Sequence, residues 1–139
     1  MTVSLEDVTK NDWDFILKLR NNEQIRKFMT HDEIISKDVH YSYLEKQKSN
    51  PKFLNKIISF ENNKVGYIRV DDDDISIFVD PTFQGKGIAS KALELFEPIA
   101  KSHGFTKLVG KVLIDNKQSE KIFLKNGFVH SLNLLEKTL

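Results

Sequence analysis

The 139-residue chain has no cysteine, three prolines, six glycines and one tryptophan. Without cysteine there is no disulfide, no thiolate metal site and no cysteine nucleophile, a composition compatible with a reducing cytosol. No apolar run approaches the ~20 residues that cross a bilayer. The opening segment MTVSLEDVTKNDWDF has no basic start followed by an apolar block, so no signal peptide is expected. An excess of one charge is lacking as well: 21 Lys and Arg stand against 20 Asp and Glu, spread along the chain, which argues against a nucleic-acid tail. The histidines, at 31, 40, 103 and 130, show no metal-ligand spacing. The run from Asp71 to Asp74 lacks the spaced ligands and glycine of a calcium loop. These absences leave one cytoplasmic domain over residues 1–139, long enough for a real core, with no metal, membrane or nucleic-acid partner.

Local patterns give the elements. VSLEDV alternates as a first strand. Trp13, Ile16, Leu17 and Arg20 share a helical face, with Asn11 as the expected N-cap. Ile25, Phe28 and Met29 mark a second short helix, and a third begins near Ser36 and ends before Pro51. KIISFENNKVGYIRV reads as a hairpin turning at NNK; the four aspartates form another connection, and ISIFV is a buried strand. Ile88, Ala92, Leu95, Phe96 and Ile99 define a helix closing at His103-Gly104, with a bend expected at Pro98. KLVGKVLI predicts a strand and NKQSEKIFLKNG a helix, while FVH and LNLLEKTL predict a terminal hairpin. The order describes a mixed α/β sandwich around one sheet.

Two of the six glycines flank Lys86 where ISIFV meets the next helix. A helix start offers unpaired N–H groups and partial positive charge, and glycines let a phosphate approach the backbone. A tight turn alone is the bland reading. A nucleotide P-loop fails, because Ile88-Ala89 stand where Lys-Ser/Thr is required. A dinucleotide fingerprint fails for want of a third spaced glycine.

The stretch DPTFQGKGIAS resembles the pyrophosphate loop of the GNAT superfamily of acetyltransferases, Gln/Arg-x-x-Gly-x-Gly/Ala, with Gln84, Gly87 and Ala89 at its defined positions. DNKQSEKIFLKNGFV resembles the superfamily's later motif through Asn116, Ser119, Gly127 and Phe128. The resemblance implies a mostly antiparallel central sheet, split at the cofactor site, with helices on both faces. It implies an acyltransferase that moves acetyl from acetyl-CoA to an amine. Coenzyme A would be held by Phe78, Val79, Gln84, Gly85, Lys86, Gly87, Ile88, Ala89, Ser90, Asn116 and Phe123. Its pantetheine arm would run beside ISIFV, and a backbone N–H of that strand would polarise the carbonyl. Asn116 has a plain helix cap as its alternative.

Many members carry a tyrosine, as acid for the departing sulfur, where this chain has Phe123. Ser119, one turn earlier, is the nearest hydroxyl and the catalytic candidate, with making room for the cofactor as its alternative. ISIFV and KLVGKVLI offer no glutamate as base, although Glu61, Asp80, Asp115 or His40 could act through water. LRNNEQIRKFM and HYSYLEKQ resemble the acceptor-side helices of enzymes that acetylate nucleotide-linked amino sugars, of the pseudaminic-acid pathway type. Enzymes acetylating ribosomal-protein N-termini are the alternative, and a non-catalytic acyl-CoA-binding module is another. Arg20 and Asn21 would meet the acceptor, or serve merely as a helix-end charge and a cap. Phe28, Tyr41, Tyr43 and Phe60 divide between acceptor pocket and core. The short chain suggests that a second copy completes the acceptor wall as a homodimer.

Overall fold

The computed structural model describes residues 2–139. Five strands lie in the order β1 (Val3–Glu6), β2 (Phe53–Phe60), β3 (Asn63–Asp71), β4 (Asp74–Val79) and β5 (Val109–Gly110). The first three pairings are antiparallel and β4–β5 is parallel. That last pairing covers only Asp74↔Val109 and Ile75↔Gly110, so the sheet splits where β4, still paired with β3, runs on to Val79 with its other edge open. The mixed sheet with helices on both sides matches the architecture expected from sequence.

Strand alternation sorts the core into two clusters. Ile58, Ile68, Val70, Ile75 and Val79 face α4 (Ile88–Ser102), whose Ile88, Ala92, Leu93, Phe96 and Ala100 are buried. Ile57, Tyr67 and Phe78 face the other way, toward Trp13, Ile16 and Leu19 of α1 (Trp13–Asn21), Ile25 of α2 (Glu23–Arg26) and Leu44 of α3 (Lys37–Gln47). Each fully buried large side chain contributes about 1.5–3 kcal/mol, so the faces of β3 and α4 dominate the stability. α4 continues without interruption across Pro98, whose ring lies on the exposed side.

Several local details differ from the sequence expectation. α1 is entered through a 3-10 turn over Lys10–Asp12, and Asn11 is exposed. Thr9 N–H donates to Asp12 Oδ2 at 2.9 Å, and the buried Asp12 carboxylate pairs with Lys64. The β2–β3 turn is made by Glu61 and Asn62, at φ +51° and +67°, one residue earlier than NNK. Of the four aspartates only Asp72 and Asp73 form the connection, while Asp71 and Asp74 are paired ends of β3 and β4. Opposite partners relieve the repulsion: Tyr43 donates to Asp71 at 2.7 Å, Lys52 pairs with Asp72, and Arg69 and Lys111 pair with Asp74.

The terminal hairpin does not form. Residues 129–139 carry no regular structure, and Val129, Leu132, Leu134, Leu135 and Leu139 are exposed. Phe128 is the last anchored residue, its N–H donating to Phe123 O at 3.1 Å. A strand exists only with a partner, and the expected KLVGKVLI strand shrinks to Val109–Gly110 because the tail does not pair along its outer edge.

Candidate functional site

A cleft of about 670 Å³ follows the open edge of β4. Its size is that of a small-molecule site. One half lies toward α4 and α5 (Lys117–Lys125), the other beneath α1–α3.

Register determines which backbone groups face the split. Asp80 N–H donates to Val65 O at 2.8 Å, so Asp80 and, two residues back, Phe78 point their backbone groups at β3. Ile77 and Val79 then turn theirs the opposite way, past the point where β5 pairing ends. Phe78 therefore contributes its side chain, packed on Tyr67 at 6.3 Å, while Ile77 and Val79 present main-chain donors and acceptors. Gln84 Nε2 donates to the outward Val79 carbonyl at 3.0 Å and fastens the loop to the strand end.

Beyond Gln84 the loop is bare. Gly85 and Gly87 adopt φ +80° and +78°, and a Cβ on either would meet nothing within 4 Å. Glycine is required there for conformation, and the space above both positions is open. The N–H groups of residues 85–90 find no acceptor among the described residues, and Lys91 N–H is the first of α4 to be satisfied, by Gly87 O. Lys86 is exposed beside this fan of amides. Ile88 is 2% exposed and belongs to the core, so only its backbone faces the loop. Ala89 lines the cleft; Ser90 does not, its hydroxyl accepting from Asn126 Nδ2 at 3.1 Å.

On the far bank Asn116 caps α5: its Oδ1 accepts from Ser119 N–H at 3.2 Å and its Nδ2 donates to Ser119 Oγ at 3.1 Å. Both residues line the cleft, and the Ser119 hydroxyl donates to no acceptor among the described residues. Phe123 packs on Phe128 at 4.9 Å between ring centroids and covers Gly110, where a Cβ would come within 2.9 Å of the ring.

In the other half, Arg20 is buried and donates from Nη2 to His31 O at 2.9 Å. Burial, with the neighbouring Arg26 and Arg69 charges, holds its pKa below the ordinary value against the pull of Glu33 and Asp32. Asn21 is not part of the wall. Its carboxamide exchanges two hydrogen bonds with the Ile35 backbone, at 2.8 and 2.9 Å, and pins the loop before α3. Phe28 and Tyr43 line the cleft, whereas Tyr41 packs edge-on against Trp13 and Phe60 against Phe83. Of the four candidate bases only His40 lines it. Its Nε2 lies 2.8 Å from Trp13 O, and burial lowers its pKa.

Tyr67, Arg69 and Lys111 line the cleft without having been singled out from sequence. GYIRV shows that Tyr67 and Arg69 share a face, but nothing local says that this face fronts a cavity.

An acetyltransferase (GNAT) domain model matches residues 2–129. The chain belongs to the GNAT acetyltransferase family. An uncharacterized protein of Methanocaldococcus jannaschii is 28% identical over 136 residues, covering 91% of this chain and 28% of that protein. A ribosomal-protein-serine acetyltransferase of Escherichia coli is 39% identical over 57 residues, covering 40% of this chain and 32% of that one. This GNAT chain thus spans about three tenths of the length of these curated relatives. Among solved structures, spermidine N-acetyltransferase from Vibrio cholerae, in complex with CoA and spermine, superposes with a TM-score of 0.86 at 19% identity. The match covers 99% of this chain and 86% of that one, and it speaks for the fold.

Proposed function

We propose that this GNAT domain transfers an acetyl group from acetyl-CoA to the primary amine of a small molecule. The observation that carries the reading is the fan of free amides over residues 85–90, under two side-chain-free positions and beside the open edge of β4. A diphosphate needs converging N–H donors at a helix start, and Lys86 adds a mobile cation. The amide groups of a pantetheine arm would pair with the outward backbone of Ile77 and Val79, as an added strand does. Asn116 and Ser119 would approach it from α5.

The amine lone pair attacks the thioester carbonyl carbon; the C–N bond forms, the C–S bond breaks, and the amine loses a proton to solvent. An N–H of Ile77 or Val79 serves as the donor to the carbonyl oxygen. Phe123 has no proton to give, so sulfur departs as a thiolate, tolerable for a thiol of pKa near ~8.5, with the Ser119 hydroxyl close at hand. Asp71 and Asp74 are engaged by internal partners, and Glu33 lines the cleft from an exposed position. Among the described residues no buried, uncommitted carboxylate is there to act as base, which favours a weakly basic amine. At pH 7 an amine of pKa ~8 is neutral about one time in ten, a lysine about four in ten thousand. A nucleotide-linked amino sugar suits that selection and the N-terminal sequence pattern.

The similarity to the ribosomal-protein-serine acetyltransferase supports a second reading, a protein N-terminal acceptor. Calorimetry with coenzyme A, and separately free-thiol detection with acetyl-CoA across amino sugars, their nucleotide derivatives and peptides, tests both. Coenzyme A heat, and thiol release from acetyl-CoA in the presence of amino-sugar derivatives, are expected. Release with peptides alone would reverse the choice, and binding without release with any amine would make this an inert acyl-carrier module.

A further inference from the structure

The acceptor half of the cleft contains buried polar donors whose capacity is only partly used. Arg20 is 9% exposed, and among the described residues its guanidinium meets the main-chain carbonyls of His31 and Glu33 but forms no ion pair. Tyr67 is 3% exposed. Its hydroxyl oxygen accepts from Asn55 Nδ2 at 3.0 Å, and its own proton has no acceptor among the described residues. Arg69, on the same strand face, lies near enough to Arg20 to oppose its charge.

None of the carboxylates lining this half pairs with Arg20 among the described residues. Asp71 accepts from Tyr43, and Asp74 is shared between Arg69 and Lys111. Glu33 lines the cleft from an exposed position, where water screens it. A buried guanidinium without a counter-anion is unfavourable, and an incoming anion removes that penalty while making charge-assisted hydrogen bonds.

We infer that the acceptor amine carries an anionic group, a carboxylate or a phosphate, which seats on Arg20 with the Tyr67 hydroxyl as a further donor. This rests on the acetyl-transfer reading and narrows it to anionic amines. A polyamine is the weaker ligand for this half: its ammonium groups would face Arg20 and Arg69, with Asp74 already paired and Asp71 already hydrogen-bonded by Tyr43.

Calorimetry on protein saturated with coenzyme A tests the inference, because the phosphate-binding loop is then filled. The probes are ethanolamine, O-phosphoethanolamine, β-alanine, glucosamine, glucosamine 6-phosphate and spermidine. Binding of at least one phosphate or carboxylate amine, at least tenfold tighter than its neutral counterpart and than spermidine, is the expected result, and the two kinds of probe separate phosphate from carboxylate. Arg20→Gln should weaken that anionic ligand tenfold or more and Arg20→Lys less, while coenzyme A affinity stays within twofold. Tyr67→Phe, which keeps the ring packed on Phe78, should weaken it about threefold, whether or not the Arg20 variants fold. Equal or tighter binding of neutral amines or spermidine, absence of heat with every anionic probe, or undiminished anion binding by a folded Arg20→Gln protein overturns the inference. Missing coenzyme A heat overturns the proposed function and this inference together; coenzyme A heat without anionic-amine heat overturns this inference alone.

Discussion

At the scale of single residues, two glycines are set by crowding rather than by φ. A Cβ at Gly66 would lie 2.4 Å from Phe78 O, a backbone atom of the neighbouring strand, whereas at Gly110 it would press the ring of Phe123. Overpacking of this kind costs about 1–3 kcal/mol, and backbone yields less readily than a ring. Gly66→Ala should therefore lower Tm more than Gly110→Ala, roughly 5–10 °C against a few degrees by scanning calorimetry. Gly110→Ala should also weaken coenzyme A binding, since Phe123 has to shift at the cleft wall. Ser119→Ala should slow turnover by no more than about fivefold in the thiol-release assay, because a thiolate leaves without an acid. A rate below detection in a folded variant would make the hydroxyl indispensable. His40 is held neutral by burial, against its contact with Trp13 O and the charge of Asp14. Its folded pKa is below the unfolded value of ~6.5, so below that pH the unfolded chain binds the proton more readily. The stability it contributes is complete above pH ~6.5 and is lost as the pH falls. Tm measured from pH 7.5 to 5.5 should fall more steeply in the parent than in His40→Gln.

Among the elements, α4 carries the most consequence, since its first turn supplies the proposed diphosphate seat. Gly87→Ala forces an L-residue into the left-handed region at φ +78°, at a cost of about 1–2 kcal/mol, and should reduce coenzyme A affinity more than it reduces Tm. The ends of α3 and α5 were legible because their signals are local. Ser36 caps α3 through its hydroxyl to Val39 N–H, Asn116 caps α5, and Gly127 closes it at φ +87°. The split sheet came from the family resemblance, not from periodicity. What escaped depended on partners distant in sequence. Asn11 looked like a cap because the burial of Asp12 against Lys64, 52 residues away, leaves no local mark. Asn21 looked like an acceptor contact because its bonds to Ile35 span 14 residues. The tail alternated as a strand does, yet alternation does not provide an edge to pair with.

For the molecule as a whole, the two clusters either side of the sheet hold the fold while the tail adds little to either. Residues 131–139 are exposed and make no side-chain hydrogen bonds among the described residues. Deleting them should leave Tm within about 2 °C, argued from burial rather than position. A larger fall would mean that the exposed leucines find a surface in solution. The sequence expectation of a homodimer meets its measurement in the same experiment, if sedimentation of the full and shortened chains is compared. The lone tryptophan gives the molecule an optical asymmetry. Trp13 is 4% exposed, edge-on to Tyr41, with Lys10 and Lys48 over its ring and its carbonyl held by His40. All of the indole emission therefore originates on the side of the sheet opposite α4, so acceptor occupancy and carrier occupancy become separable by colour: the first should shift the fluorescence, the second should leave it nearly dark to change.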